Sequence, residues 1–219
     1  MTNSDRRFRA LICSEKTNPG AVREMQIFRK DLFVDRLGWS LHTVDDKEQD
    51  QFDTECAIHC LMYENARLIG GFRAIQSIQP YLAQTIFPHL ATTRCFPRRA
   101  DIFEISRFGV DPGQTGSAAA ETAYAIMMRF GQVRQITAFV ALVELSHERF
   151  LRRLGIRTRR YGRPQIVGIS SFGRPLMAVA GEIPFSDQTS GRFRNLMKLV
   201  NDVEFTDETL VFGHWALSA

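Results

Sequence analysis

The first part of the chain combines short apolar runs with one amphipathic segment. FRALIC, from Phe8 to Cys13, is an apolar run that predicts a first strand. From Gly20 to about Arg36, apolar residues recur at helical spacing, which predicts a helix. Two strand-like runs, CAIHCLMY and RLIGGFRAIQ, flank a Glu64-Asn65-Ala66 turn and predict an antiparallel hairpin. The segment YLAQTIFPHL predicts a short helix.

The pattern after this hairpin alternates strands and helices. Ile102 to Val110 predicts a strand, and Ser117 is placed to cap a helix that runs to about Gly131. QITAFVALV is almost wholly apolar and predicts a buried strand, and ELSHERFLRRL predicts a helix that ends at Gly155. IRTRRY and GRPLMAVAGEI predict further strands, and Gly191 to Val200 predicts a late helix. The order indicates an α/β (α+β) fold with an antiparallel front and a central βαβα segment.

The length and composition favour one soluble domain. No linker or repeat divides the 219 residues, so a single domain over residues 1–219 is expected. No apolar run is long enough to cross a membrane. The charged N-terminus lacks the apolar core of a secretory signal, and the four cysteines show no disulfide spacing. These features predict a cytoplasmic protein.

The sequence offers no metal site. Cys56, His59 and Cys60 lie in a strand-like run, and no second ligand pair follows at zinc spacing. HERFL is not a zinc-binding H-E-x-x-H motif, because Leu151 stands where the second histidine belongs.

Positive charge is concentrated in one segment, HERFLRRLGIRTRRYGR, of a chain with a net charge of +4. This run is either a solvated face or a dock for an acidic partner, which would be nucleic acid, an anionic membrane or an acidic protein. Nucleic acid is disfavoured, because the chain lacks a helix-turn-helix or RNP-like motif. The docking candidates are Arg149, Arg152, Arg153, Arg157, Arg159 and Arg160.

Charged and aromatic residues in the first half follow a distinctive order. An R-x3-F-x5-W pattern is followed by E-x-D-x-F-D, then by G-x-R and E-x-x-R. The residues are Arg29, Phe33, Trp39, Glu48, Asp50, Phe52, Asp53, Gly71, Arg73, Glu104 and Arg107. In these four ordered motifs the chain resembles the acyl-homoserine-lactone synthases, which make the autoinducers of bacterial quorum sensing. The resemblance covers about the first 110 residues closely and the rest by element order.

The resemblance implies a fold and an activity. The fold would be like that of N-acetyltransferases, with a mixed central sheet that is splayed at its middle strands and flanked by helices. The enzyme would transfer an acyl chain from acyl carrier protein, or from acyl-CoA, to the amine of S-adenosylmethionine. It would then close a lactone and release methylthioadenosine. S-adenosylmethionine would be a substrate, and no cofactor, metal, membrane or nucleic acid would be required.

The resemblance also implies roles for individual residues. The acids and arginines would face each other across a cleft for S-adenosylmethionine, although a purely structural ion network remains the alternative. Glu104 is the first candidate for the base that deprotonates the amine. The expected catalytic residues are Glu104, Arg107, Glu48, Asp50, Asp53 and Arg73. The expected substrate-binding residues are Arg29, Phe33, Trp39, Phe87 and Phe108.

One pair of motif residues conflicts with regular strand geometry. In a regular strand, Glu104 and Arg107 point to opposite faces, so a common cleft requires a bulge or a splayed strand. The loop DPGQTGS, which follows this strand, is where the wider fold would bind the phosphate of coenzyme A or of phosphopantetheine.

The predicted acyl-binding strand is wholly apolar. Phe139 to Val143 contains no hydroxyl, which favours an unsubstituted acyl chain, unless Thr137, Ser146 or a water donates a hydrogen bond. Two other hypotheses about the function remain: a general N-acyltransferase that uses acyl-CoA and another amine, and a basic nucleic-acid-binding module.

Overall fold

A nine-stranded mixed sheet forms the centre of the molecule. The computed structural model describes residues 7–111 and 116–210. In chain order the strands are β1 (Phe8–Cys13), β2 (Thr43–Val44), β3 (Lys47–Glu48), β4 (Ile58–Glu64), β5 (Arg67–Gln76), β6 (Ile102–Val110), β7 (Ala138–Glu144), β8 (Arg159–Arg160), β9 (Gln165–Ile169), β10 (Pro175–Pro184) and β11 (Val203–Asp207). The sheet order is β11-β1-β4-β5-β6-β7-β10-β8, and β9 pairs with β10. Strands β2 and β3 form a separate small ribbon.

Five α-helices accompany the sheet in the described residues. They are α1 (Pro19–Arg29), α2 (Leu82–Ile86), α3 (Ser117–Val133), α4 (Leu145–Leu154) and α5 (Gly191–Met197). The predicted mixed architecture, with a hairpin followed by alternating strands and helices, is confirmed. Strands β2, β3, β9 and β11 were not predicted; each has at most five residues, and such short runs carry a weak signal.

The first predicted helix changes its winding half-way. Helix α1 is α-helical to Arg29, and Lys30–Arg36 continues as a π-helix. The wider turn is closed by a hydrogen bond from the Leu37 amide to the Leu32 carbonyl. Such segments are rare and occur often at functional sites. Here the change of winding separates two motif residues, because Arg29 is buried among acids while Phe33 packs against Trp39.

The start of α3 differs from the prediction. Ser117 is the first helical residue rather than the cap, and Gly116 occupies the cap position without a side-chain hydrogen bond. Most of the expected phosphate-binding loop, residues 112–115, lies outside the described residues.

The sheet is covered on both faces. Ala10 and Ile12 of β1 belong to the core cluster that contains α3, whereas Leu11 belongs to the cluster that contains α1. Side chains alternate along a strand, so these two helices cover opposite faces. This arrangement confirms the expected flanking of the sheet by helices.

The sheet opens between β6 and β7. These strands run parallel and pair only from Ile102 with Ala138 to Ile105 with Ala141. Each strand continues beyond the last pair, β6 to Val110 and β7 to Glu144. The expected splay at the middle strands is therefore confirmed, and it leaves a gap between the two strands.

The described residues contain no helix that is long and apolar enough to span a membrane. All four cysteines are free, and Cys13 and Cys60 are buried.

Candidate active site

Three arginines and three carboxylates close into one alternating ring, which we call the charge ring. Arg29 binds Glu48 and Asp53, and Arg73 binds Asp50 and Asp53. Arg107 completes the ring, because its Nη2 lies 2.8 Å from Glu48 Oε1 and 2.9 Å from Asp50 Oδ2. Every member therefore contacts two members of opposite charge. The formal charge of the ring is zero.

Burial makes this pairing necessary. The side chains of Arg29, Glu48 and Arg73 are 0% exposed. A buried charge without a partner costs several kcal/mol, so six buried charges are tolerable only when each is matched. Burial opposes the ionisation of Asp53, but hydrogen bonds from Arg29 and the charge of Arg73 outweigh it and hold the pKa of Asp53 well below its usual range.

The elements that supply the ring come from four places in the chain. Arg29 ends α1, Glu48 ends β3, and Asp50 and Asp53 lie in the loop after β3. A backbone amide also stabilises the loop, because the Asp50 amide donates to Asp53 Oδ2 at 2.9 Å. The clustering of acids in one loop is explained by three arginines that converge on it.

A bulge in β6 brings Arg107 to the ring. Gly71 of β5 pairs with Gly109, but Arg73 pairs with Ser106, so β6 carries one extra residue in this interval. Arg107 adopts a φ of 53°, a left-handed conformation that is uncommon for a residue with a side chain. The sequence predicted a bulge or a splayed strand here, and the structure has a bulge that begins at Arg107.

Glu104 stands apart from the charge ring. Its carboxylate accepts hydrogen bonds from the backbone amides of Leu82, at 3.0 Å, and Ala83, at 2.7 Å, at the start of α2. Burial raises the pKa of Glu104 to about 7, and the two amides and the nearby charges of Arg73 and Arg107 lower it only in part. Glu104 is therefore able to exchange a proton near neutral pH.

Glu104 and Arg107 both line a cleft of about 400 Å³ at the opening between β6 and β7, which we call the central cleft. Four aromatic residues that the sequence placed in substrate binding line the same space, namely Phe33, Trp39, Phe87 and Phe108. Phe33 and Trp39 stack with ring centroids 5.0 Å apart. The central cleft thus combines the proton-exchanging carboxyl group of Glu104 with a largely apolar wall.

The other predicted site residues lie behind this wall. Arg29, Glu48, Asp50, Asp53 and Arg73 belong to the charge ring and do not line the central cleft. The expectation of acids facing arginines across an open cleft is therefore corrected. They bind each other directly, because leaving six such charges unpaired in a buried region would cost far more than the pairing.

The sequence missed one wall of the central cleft. Val167, Gly168, Ile169 and Leu176 of the β9–β10 hairpin line it. The tip of this hairpin reaches the Trp39 loop, because the Ser171 amide donates to the Gly38 carbonyl at 2.8 Å. Gly38 has no room for a side chain, since a Cβ there would collide with the Phe172 ring. The only sequence signal was Gly38 itself, beside the tryptophan of the first motif.

A second cavity, of about 640 Å³, touches the charge ring at Asp53 and is also lined by Lys47 and His59. It contains neither Glu104 nor any of the four aromatic residues, so the central cleft is the better candidate. No cluster of side chains suited to a metal ion is found in residues 7–111 and 116–210.

Comparison with known proteins identifies the family. The model of the autoinducer synthase family matches residues 14–189. The chain belongs to the autoinducer synthase family. An acyl-homoserine-lactone synthase of Aeromonas salmonicida is 32% identical over 68% of this chain and 74% of that protein. One of Acinetobacter nosocomialis is 30% identical over 70% of this chain and 90% of that protein.

Solved structures of autoinducer synthases share the fold. TofI, in a ternary complex with an inhibitor and MTA, superposes with a TM-score of 0.70 at 27% identity, over 87% of this chain and 99% of that chain. BjaI, a CoA-dependent acyl-homoserine lactone synthase with SAM and isopentyl-CoA, gives a TM-score of 0.75 at 22% identity, over 91% of this chain and 93% of that chain. The membership of this chain in the family makes it an acyltransferase.

The charge ring predicts that neutralising one of its carboxylates greatly lowers the free energy of unfolding. Asp53→Asn keeps the shape of the side chain but leaves Arg29 and Arg73 with one carboxylate each. Breaking a buried ion pair in this way costs about 3–5 kcal/mol, so the midpoint of urea unfolding should fall sharply. Asp46→Asn is the matched control, because the Asp46 side chain is 93% exposed in the nearby turn between β2 and β3. Equal midpoints for the two variants would contradict the ring.

Proposed function

We propose that this autoinducer synthase joins an acyl chain from acyl carrier protein to S-adenosylmethionine and then closes the homoserine lactone. The observation that carries the proposal is the position of Glu104. Glu104, whose carboxyl group has a pKa of about 7, lines the central cleft together with Arg107, while the other motif acids are neutralised in the charge ring. No cofactor is needed for this chemistry, and S-adenosylmethionine is a substrate.

The first step forms an amide. The α-amine of S-adenosylmethionine has an ordinary pKa of roughly 8, so it must lose a proton before or during attack. Glu104, directly or through a water, accepts this proton as nitrogen bonds to the thioester carbon. The carbon–sulfur bond of the thioester then breaks, and the carrier thiolate leaves and takes up a proton. A base of this kind typically contributes about 10²–10⁴ in rate.

The second step forms the lactone. A carboxylate oxygen attacks the carbon next to the sulfonium within the same molecule. The bond from that carbon to sulfur breaks, its electron pair neutralises the sulfonium, and methylthioadenosine leaves. Because nucleophile and electrophile are already joined, the enzyme mainly has to hold the right conformation. The faces of Phe33 and Trp39 supply one such wall for the cation.

The residues divide into two groups by their contacts. Phe33, Trp39, Phe87 and Phe108 line the central cleft and are proposed to contact substrate, as is Arg107. The remaining members of the charge ring are proposed to position Arg107 and the β6 bulge. The sheet runs from Phe8 to Asp207, which supports the proposal of a single domain. The free cysteines are consistent with the proposed cytoplasmic location.

The arginine run supports a carrier protein as the acyl donor. All six candidate docking residues are exposed. Arg159 pairs with Asp187 and Arg160 with Glu148, whereas Arg149, Arg152, Arg153 and Arg157 form no ion pair within the described residues. Arg152, Arg157 and Arg192 also line one groove of about 630 Å³. An excess of arginines beside a groove, four of them without an ion pair within the described residues, suits an acidic protein that carries its acyl chain on an arm.

Product analysis tests the proposed function. Purified protein, S-adenosylmethionine and acyl-carrier or acyl-CoA donors should give equal amounts of methylthioadenosine and acyl-homoserine lactone by mass spectrometry. An amide formed with another amine would favour a general N-acyltransferase instead. Failure of all donors, with poor binding of S-adenosylmethionine to folded protein, would refute the proposal.

Glu104→Gln separates the two chemical steps. Acyl transfer should fall by about 10²–10⁴, because the base is lost while size and shape are kept. Lactone closure from S-adenosylmethionine that has been acylated beforehand should stay near the wild-type rate. Glu204→Gln on β11 is the control and should leave both steps unchanged. Equal losses in both steps would assign Glu104 a structural role.

Charge reversal tests the dock. Arg149, Arg152 and Arg153 changed together to Glu should raise KM for the carrier-linked donor, most strongly at low salt, and leave KM for S-adenosylmethionine unchanged. These three are preferred to Arg159, which is already paired with Asp187.

The matched control reverses the exposed Arg23, Arg129 and Lys198, which changes net charge equally on other surfaces. A similar rise of KM in the control, or an unchanged KM in the test variant, would contradict docking at the arginine run. If coenzyme A is the natural donor instead, acyl-CoA should surpass the carrier-linked donor in kcat/KM.

A further inference from the structure

Tyr124 places a polar group inside the apolar part of the central cleft. It lies on α3, lines the cleft, and is only 5% exposed. Its ring stacks on Phe108 with centroids 4.3 Å apart and packs against Phe150. The ring is therefore held on both sides.

The hydroxyl of Tyr124 has no hydrogen-bond partner among the residues that the structure describes, which are 7–111 and 116–210. The hydroxyl is also not fully buried. Among the described residues, the fully buried side-chain polar atoms without a hydrogen bond are His59 Nδ1, Arg134 Nη1 and Glu208 Oε2, and the Tyr124 hydroxyl is not one of them. Burial raises the pKa of Tyr124, so its hydroxyl keeps its proton and remains a donor at neutral pH.

The surroundings place this donor near the reacting end of the cleft. Tyr124 stacks on Phe108, which is adjacent in sequence to Arg107 and four residues from Glu104. Apolar residues such as Val167 and Leu176 line other parts of the cleft. An acyl chain with its thioester beside Glu104 would therefore pass Tyr124 with its first few carbons.

The hydroxyls considered from the sequence do not serve this region. Thr137 donates to the Asp101 carboxylate, at 2.9 Å, and Ser146 is exposed, and neither lines the central cleft. Strand β7 is apolar as expected, but it is only one wall. The donor comes from helix α3, which also lines the cleft.

We propose that Tyr124 is a specificity-determining residue that donates a hydrogen bond to an oxygen on the third carbon of the acyl chain. The preferred substrates are then 3-oxoacyl or 3-hydroxyacyl thioesters rather than unsubstituted ones. This inference rests on the proposed function and revises the expectation drawn from β7 alone. A buried donor gains a partner with the oxygenated chain and keeps none with the plain chain.

Competition between donors of equal chain length tests this inference. Wild-type protein should favour the 3-oxo or 3-hydroxy donor by about tenfold in kcat/KM over the unsubstituted donor. Tyr124→Phe keeps the aromatic stack and should reduce this ratio to about one, with kcat/KM for the unsubstituted donor not lowered. Thr137→Val is the control and should keep the wild-type ratio.

The ratio of the two kcat/KM values distinguishes specificity from a merely structural effect, because a structural effect would lower kcat/KM for both donors together. A wild-type ratio near one, or a preference that survives in Tyr124→Phe, would overturn the inference while lactone formation still supports the proposed function. A preference that disappears in Ser106→Ala alone would assign it to another cleft hydroxyl and also overturn it. Absence of lactone from every donor would overturn the proposed function and this inference with it.

Discussion

The site depends on one closed ring of ion pairs. In the charge ring, each of three arginines meets two carboxylates and each carboxylate meets two arginines. Removing any member leaves two neighbouring charges with one partner each in a buried region, which is costly. The ring also joins the end of α1, the loop after β3, and strands β5 and β6. Electrostatic pairing thus fixes the relative positions of elements that are distant in sequence.

The ring has consequences for the sheet and for the chemistry. Arg107 can join it only through a bulge, and the pairing of β6 with β7 ends at Ile105, two residues before that position. The resulting opening is the central cleft. Glu104, on the paired side of the bulge, is held by the amides of α2 instead of by an arginine. One motif therefore yields a cation that joins the charge ring to the cleft and a separate group with the pKa of a base.

The sequence predicted most of the elements and part of the cleft wall because these leave local signals. Apolar periodicity marked the strands and helices, and Phe33, Trp39 and Phe87 stood in recognisable positions beside them. The pairing within the ring was not predictable, since three arginines and three acids allow many combinations and burial alone selects among them. Tyr124 was not predicted as a site residue, because an aromatic residue on an apolar helix face usually packs in a core. Only the structure shows that its hydroxyl has no hydrogen-bond partner within the described residues.

The central claim is that Glu104 ionises near neutral pH while it stands outside the charge ring. Carboxyl resonances of protein labelled with ¹³C at glutamate, followed by NMR against pH, measure this directly. Glu104→Gln assigns the signal by its disappearance. The structure predicts a midpoint of about 7 for that signal. A midpoint near the ordinary glutamate value of about 4.3 would contradict the account, because Glu104 would then be no better poised as a base than an exposed carboxylate.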